Sequence, residues 1–144
     1  MTEPLISVMM DELVETVRTA LPDLGNRITY GAPEQTPAAS CVWFDYNLLE
    51  LEMGLLDVAL HQAIATVAVP RRGQYPKEYS YVTDLMQSVR QAVRATPFYT
   101  DATLVSIENQ PAVGSAYAGQ QDALVAGRLI FTLETKTEIA PVYP

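Results

Sequence analysis

The sequence has one cysteine and one histidine, Cys41 and His61, so any Cys–His or Ser–His nucleophilic mechanism has to use His61. The two residues are 20 positions apart on segments that we expect to be neighbouring strands, where their side chains could meet. Free cysteine is one of the residue types most often buried, so we favour Cys41 as a small packed hydrophobe and His61 at a sheet surface. A single thiol and a single imidazole also exclude a disulfide framework and a self-contained zinc site.

The segment from Gly114 to Gly119 has the glycine spacing of a phosphate-binding loop. Gln120 and Gln121 follow it, where such a loop needs Lys and Ser or Thr, and no strand-to-helix context surrounds it. We therefore predict no nucleotide site. We predict instead a long loop of small residues and glutamines from Pro111 to Asp122, because long loops in small domains tend to be functional. Its candidate mobile contact residues are Val113, Gly114, Tyr117 and Gly119.

Glu50 and Glu52 fall on the same side of one predicted strand, with Asp45 and Asp57 nearby in the sequence. Paired carboxylates can perform acid–base chemistry or hold a hard cation. Acidic residues at period two are also typical of an ordinary solvated sheet face, and no third ligand is evident. We therefore predict no catalytic residue, no metal and no cofactor, and we expect the protein not to be an enzyme.

The net charge of −8 argues against a nucleic-acid-binding surface over the whole molecule, because phosphate neutralisation needs clustered Lys and Arg. The charges are unevenly distributed: no Lys or Arg occurs from Ile28 to Pro70, whereas the stretch from Arg71 to Arg94 is basic. This asymmetry suits head-to-tail contact between identical copies, although chance alone can also produce it. The candidate self-association residues are Arg71, Arg72, Lys77, Arg90 and Arg94 on the basic side and Glu50, Glu52 and Asp57 on the acidic side.

Hydrophobic periodicity predicts two helices separated by strands. Apolar residues at helical spacing indicate a first helix over Thr2 to Leu21, and a second helix begins at Ser80 and ends before Pro97. Strands are predicted over Arg27–Tyr30, Cys41–Met53, His61–Val69, Leu104–Glu108 and Ala123–Glu138. The alternation slips near Leu48 and Leu49, which indicates a bulge, and Val105 is expected on the same face as Ile107.

This order predicts one α+β domain spanning residues 1–144, with a mostly antiparallel sheet and two main helices packed on one face. The N-terminus lacks the features of a secretory signal, and the most apolar stretch, Leu48 to Pro70, is too polar for a membrane span. We therefore expect a protein that stays in the compartment where it is made and does not enter a membrane.

The element order resembles the phage tail-terminator (tail-completion) family of long-tailed bacterial viruses. The features that carry the resemblance are the N-terminal helix, the β-rich run ending in Ala65–Val69, the central helix beginning Tyr81-Val-Thr-Asp-Leu-Met86, and the alternating strand Gly127–Glu134. The resemblance implies a structural subunit of a hexameric ring that caps the tail tube and offers a docking surface to the head. Its implied partners are further copies of itself, the tail-tube protein and the head-closure (stopper) protein. DNA would pass only as transiting cargo, which the acidic excess suits, and the location would be the virion tail after synthesis in the host cytoplasm.

Two alternatives remain open. The first is another assembly role in the same viruses, as a head-closure or connector subunit or as a tail-tube protein. The second is a small-molecule-binding or hydrolytic α+β domain, with a cavity between helices and sheet lined by Trp43, Tyr46, Tyr81 and Phe131.

Overall fold

A computed structural model describes residues 5–34, 37–52, 56–70, 77–95, 98–99, 102–117 and 120–138. Within these ranges the structure has two helices, six strands and one 3₁₀ turn at Gly25–Arg27. The elements are α1 (Leu5–Ala20), β1 (Ile28–Tyr30), β2 (Cys41–Glu52), β3 (Leu56–Pro70), α2 (Lys77–Arg94), β4 (Phe98–Tyr99), β5 (Ala102–Tyr117) and β6 (Gln120–Glu138). The predicted helices and strands are confirmed over the described residues, and the predicted ends at Thr2 and Met53 lie outside them. The strands β3, β5 and β6 are longer than predicted, α2 begins at Lys77 rather than at Ser80, and β4 was not predicted.

All six strands form one sheet in the order β1-β2-β3-β6-β5-β4. Only β1 and β2 run parallel, and the other neighbours are antiparallel, which confirms the predicted α+β class. The centre of the sheet is the β3–β6 pair, whose register is continuous from Leu56 opposite Glu138 to Pro70 opposite Leu124.

Both helices pack on the same face of the sheet, as predicted, and enclose the main core. From α1 the core receives Met9, Met10, Leu13, Val14 and Val17, all of which are buried. From α2 the core receives Val82, Met86, Val89 and Val93, and from the sheet it receives residues such as Phe44, Ala65, Leu129, Phe131 and Leu133. Burying each large apolar side chain stabilises the fold by about 1.5–3 kcal/mol.

Neither described helix packs on the opposite face of the sheet, and a second apolar cluster lies there. It consists of Cys41, Trp43, Ala68 and Leu124, with Ala126 packed against it. These residues alternate along their strands with residues of the main core, since side chains of successive residues point to opposite faces.

Several β-bulges interrupt the outer strands. In β2 the register shifts between Leu48 and Glu50, which confirms the predicted bulge. In β5 the register shifts between Leu104 and Ser106, so Val105 has no paired residue on β6. The prediction that Val105 shares a face with Ile107 was therefore wrong: Val105 is exposed, whereas Ile107 packs against the core.

The predicted loop from Pro111 to Asp122 was also wrong, because β5 extends to Tyr117 and β6 begins at Gln120. Val113, Gly114 and Tyr117 thus lie in a strand of a long hairpin, and Gly119 lies outside the described residues. Proline has no N–H to donate to a neighbouring strand, so strands accept it mainly at edges and bulges. Pro111 lies at such a place, the register shift between Gln110 and Val113.

Candidate assembly edges of the sheet

The sheet has two outer edges along which backbone groups have no strand partner in the described part of the chain. On one side, β1 covers only Val42 to Phe44 of β2, so β2 is unpaired on its outer side from Asp45 onward. On the other side, β4 covers only Ala102 and Thr103 of β5. Unpaired strand edges are templates for pairing with another chain, and natural proteins leave them exposed mainly where they are used.

Gly31 explains why β1 stops early. Its N–H donates to the carbonyl of Phe44 at 2.8 Å, and its φ of +96° turns the chain away from β2. A residue with a Cβ adopts this conformation only with strain, so glycine is required for β1 to end here.

Exposed apolar side chains lie at the bulge of each edge. Leu48 and Leu49 on β2 are each 47% exposed, and Val105 on β5 is 56% exposed. A bulged residue leaves the ladder and points away from the position that alternation would give it. The bulges therefore present apolar contact surface directly beside free backbone groups.

The two bulges lie at the same height on opposite edges. Leu48 pairs with His61, His61 with Leu133, and Leu133 with Leu104, the residue before Val105. One row across the four long strands thus joins Leu48 to the start of the β5 bulge. In addition, β2 and β5 run in opposite directions, so a second copy placed alongside in the same orientation would meet the first in antiparallel pairing.

The charged candidate residues are distributed around these edges. Glu50, on β2, pairs with Leu60, whose row continues through Glu134 and Thr103 to Phe98 of β4. Arg94 lies four residues before Phe98, so the C-terminal end of α2 and the acidic end of β2 share one end of the sheet. Glu52 follows on β2 opposite Val58, and Asp57, the second residue of β3, precedes Val58.

Among the cations, Lys77 and Arg94 are exposed and Arg90 is half-buried, with a buried Nε that has no hydrogen-bond partner among the described residues. The groove between α1 and α2 is lined by Tyr81 and Leu85 on α2. Arg90 and Arg94 follow Leu85 by five and nine residues. Since each residue turns an α-helix by about 100°, both lie on the opposite flank of α2 from Leu85, toward the β5 side. Arg71 and Arg72 lie outside the described residues.

His61 does not meet Cys41. Cys41 pairs with Ala68 and Leu48 pairs with His61, so seven ladder positions, roughly 23 Å, separate the two. Cys41 is buried, and burial raises the pKa of its thiol to about 11, which confirms its role as a packed hydrophobe. His61 was expected at a sheet surface, and this was wrong: it is only 4% exposed, on the helix-covered face.

Two hydroxyls hold the imidazole of His61. The Tyr46 hydroxyl lies 2.6 Å from Nδ1, and the Thr135 Oγ1 lies 2.8 Å from Nε2. Burial lowers the pKa of His61 and raises that of Tyr46. Both ring nitrogens are therefore satisfied by hydroxyls, and the Cys41 thiol does not lie beside the ring.

The aromatic cavity of the small-molecule alternative does not form. Phe131 is fully buried against Phe44, with ring centroids 6.4 Å apart, and Trp43 lies on the opposite face of the sheet. Tyr81 is 49% exposed on α2. Within the described ranges no three His, Cys, Asp or Glu side chains cluster to hold a metal, and no helix there is long and apolar enough to cross a membrane.

The exposed residues at the bulges were not predicted as site residues. For Leu48 and Leu49, a signal was present: two adjacent leucines interrupt an alternating strand. The same signal, Leu104 beside Val105, occurs on the other edge. Neither pair shows from the sequence alone that it lies on an outer strand, because strand order depends on contacts distant along the chain.

Comparison with protein-family models and with curated proteins finds no match to this sequence. Among solved structures, the fold is similar to that of a chain in the virion of a native gene transfer agent (GTA) particle. The TM-score is 0.58 at 11% sequence identity, and the match covers 94% of this chain and 99% of the other. This likeness establishes a shared fold over nearly the whole chain.

Proposed function

We propose that this protein is a structural subunit of a phage-like virion, present as a ring of identical copies that caps the tail tube and docks the head. The observation that carries the proposal is the pair of different sheet edges whose apolar bulges lie at the same height. The fold shared with a GTA virion chain and the resemblance to tail terminators support the same role. The proposal assigns the protein no catalytic activity.

The two edges define a heterologous contact. The β2 edge of one copy meets the β5 edge of the next, so an open assembly keeps one free edge at each end until it closes. Because the two bulges lie at the same height, successive copies need no translation along the strand direction. A rotation alone then relates one copy to the next, and such a series closes into a ring instead of growing as a helical filament. Six copies are proposed from the family resemblance.

Apolar contact and backbone hydrogen bonds would supply most of the affinity. Leu48 and Leu49 of one copy would cover Val105 of its neighbour. The acidic end of β2 would also approach Arg90 and Arg94 on the β5 side of the neighbour, at the same end of the sheet. Exposed ion pairs contribute only about 0–1 kcal/mol each, so the charges would set orientation and rate more than affinity.

A charge swap tests this contact. The variants R94E and E50R are each expected to weaken association at low salt, and the double variant R94E/E50R to restore it. D11R, which changes an exposed charge on α1, is the matched control and should associate like the wild type. Sedimentation velocity over a concentration series measures the effect. The proposed contact is contradicted if the double variant loses as much association as the two single variants combined.

Arg71 and Arg72 provide a second test, because they begin the basic stretch from Arg71 to Arg94. R71E/R72E is expected to weaken the ring while leaving the melting temperature nearly unchanged. Light scattering after size exclusion, with and without purified tail tubes, gives both the ring size and the effect of the substitution.

Binding to tail tubes separates the cap from its alternatives. A terminator decorates one end of a purified tube and stops growth, whereas a tube subunit copolymerises and a head-closure subunit binds only a tube that already carries its terminator. Electron microscopy of tubes mixed with the labelled protein distinguishes these outcomes. Proposed partners are thus the tail-tube protein and the head-closure (stopper) protein, with DNA as transiting cargo.

A further inference from the structure

We propose that His61 is an acid-sensitive lock on the β2 assembly edge: a second proton on its imidazole releases β2 beyond Tyr46 and removes the edge. This inference rests on the proposed function in treating the outer side of β2 as an assembly edge. The lock itself is a property of the subunit, with or without assembly.

The lock joins the edge strand to the centre of the sheet. His61 lies on β3 opposite Leu48, next to the β2 bulge, and its two hydroxyl partners come from the strands on either side. Tyr46 holds it from β2 at 2.6 Å, and Thr135 holds it from β6 at 2.8 Å. This chain of side chains therefore links the assembly edge to β6 through a single ring.

Neutral imidazole suits this site and imidazolium does not. A neutral ring has one donor and one acceptor, and each hydroxyl can take either role, so both ring nitrogens are satisfied. A doubly protonated ring donates from both nitrogens, so the hydroxyl that donated to the neutral ring can no longer do so and has to turn elsewhere. The positive charge would also be buried with no contacting carboxylate among the described residues, which is costly.

The surrounding charges offer no compensation. Tyr46 is the titratable group in contact with the ring. The helices that cover this face carry Asp11, Glu12, Glu15 and Arg18 on α1 and Lys77, Glu78, Asp84, Arg90 and Arg94 on α2. None of these shifts the pKa of His61, which burial alone lowers. His61 therefore binds fewer protons in the folded subunit than in the unfolded chain, and its contribution to the stability of the lock falls as pH decreases below 6.5.

The strand that yields is β2. On the other side of the ring, β3 and β6 pair without a register shift over their whole common length. Beyond Phe44, β2 has only β3 as a described neighbour and carries its own register shift at Leu49. Local opening follows the path with the fewest backbone and packing contacts, so β2 opens and the central pair stays closed.

The test uses the full chain and its single histidine. Nuclear magnetic resonance of ring-labelled His61 gives the pH midpoint of protonation without any substitution. Hydrogen exchange, expressed relative to intrinsic rates, gives the protection of residues 45–52 and of residues 124–135 over the same pH range. We expect protection of residues 45–52 to fall at least tenfold with the His61 midpoint, and protection of residues 124–135 to change less than twofold.

The variant H61Q supplies the matched comparison, since its amide can bond both hydroxyls and does not titrate. It is expected to keep residues 45–52 protected at low pH and to keep any association that the wild type loses. The proposal is overturned if His61 titrates with no change on β2, or if all strands lose protection together. If the wild type does not self-associate at any pH, the proposed function fails, while the exchange data still decide the lock.

Discussion

Met86 on α2 occupies the space beside Gly127 on β6 that a side chain at position 127 would need. A Cβ on Gly127 would overlap the Met86 Sδ and come within 3.4 Å of the Gln110 carbonyl oxygen on β5. Gly127 faces the bulge of β5 between Gln110 and Val113, so the helix, the bulge and the central strand meet at one backbone position. The absence of a side chain there lets α2 pack closely on the sheet.

We therefore predict that G127A destabilises the fold by about 1–2 kcal/mol and G127V by about 3 kcal/mol or more. The alanine cost is moderate because the end of a methionine side chain can adjust. In an M86A background, itself about 2–5 kcal/mol less stable, G127A should cost close to nothing. Urea unfolding of the four proteins measures the coupling. Equal costs in both backgrounds would show that Met86 is not the obstacle.

Cys41 is predicted to be nearly inert in the folded protein. Its pKa of about 11, against the ordinary value of 9.0, reduces the thiolate fraction at pH 8 by about 100-fold. Labelling with an aromatic disulfide reagent should thus be at least about 100-fold slower in buffer than in denaturing urea, and burial slows it further. Rapid labelling of the native protein would place the thiol at the surface.

Because of the β5 bulge, Ile107 and Val105 are expected to contribute unequally to the stability of the fold. I107A should cost about 1–2 kcal/mol, because Ile107 packs against the core from its half-buried position. V105A should change stability by no more than about 0.5 kcal/mol, because the Val105 side chain is 56% exposed. Thermal unfolding of both variants tests the difference. Similar losses would mean that β5 is not bulged at Val105 in solution.

A lysine at the β2 bulge should block assembly without harming the fold. L49K places a charge among the free backbone groups of the edge, a common protection of natural edge strands. We expect a melting temperature close to that of the wild type and at least tenfold weaker self-association by sedimentation. D11K, which changes an exposed charge on α1 away from both bulges, is the control and should associate normally. Unimpaired association of L49K would exclude the β2 edge from the contact.

The helices and strands with one buried face could be predicted from the sequence, because burial on one face places apolar residues at regular intervals along the chain. The α2 stripe of Val82, Met86, Val89 and Val93 and the β6 alternation of Leu129, Phe131 and Leu133 are examples, and all seven side chains are buried. The bulge near Leu49 was predicted for the same reason, since an extra residue reverses the alternation.

The errors arose where tertiary contacts override local signals. Pro111 and the small residues after it resemble a loop, but pairing with β6 extends the hairpin through them. His61 has a polar side chain expected at a surface, yet hydroxyls from two other strands make its burial possible. Strand order was beyond prediction for the same reason, because β3 finds its second partner far along the chain.

That late partner has a consequence for protein synthesis. The strand β6 lies between β3 and β5, yet it is the last of the six in the sequence. At about 5–20 residues per second, the ribosome needs roughly 3–14 s to extend the chain from the end of β3 at Pro70 to the end of β6 at Glu138. During that interval the inner edge of β3, and then that of β5, lack their common partner and remain open to wrong pairing. A nascent chain thus passes through its most aggregation-prone stage just before it becomes able to assemble, and chaperones that cover extended strands would act in that window.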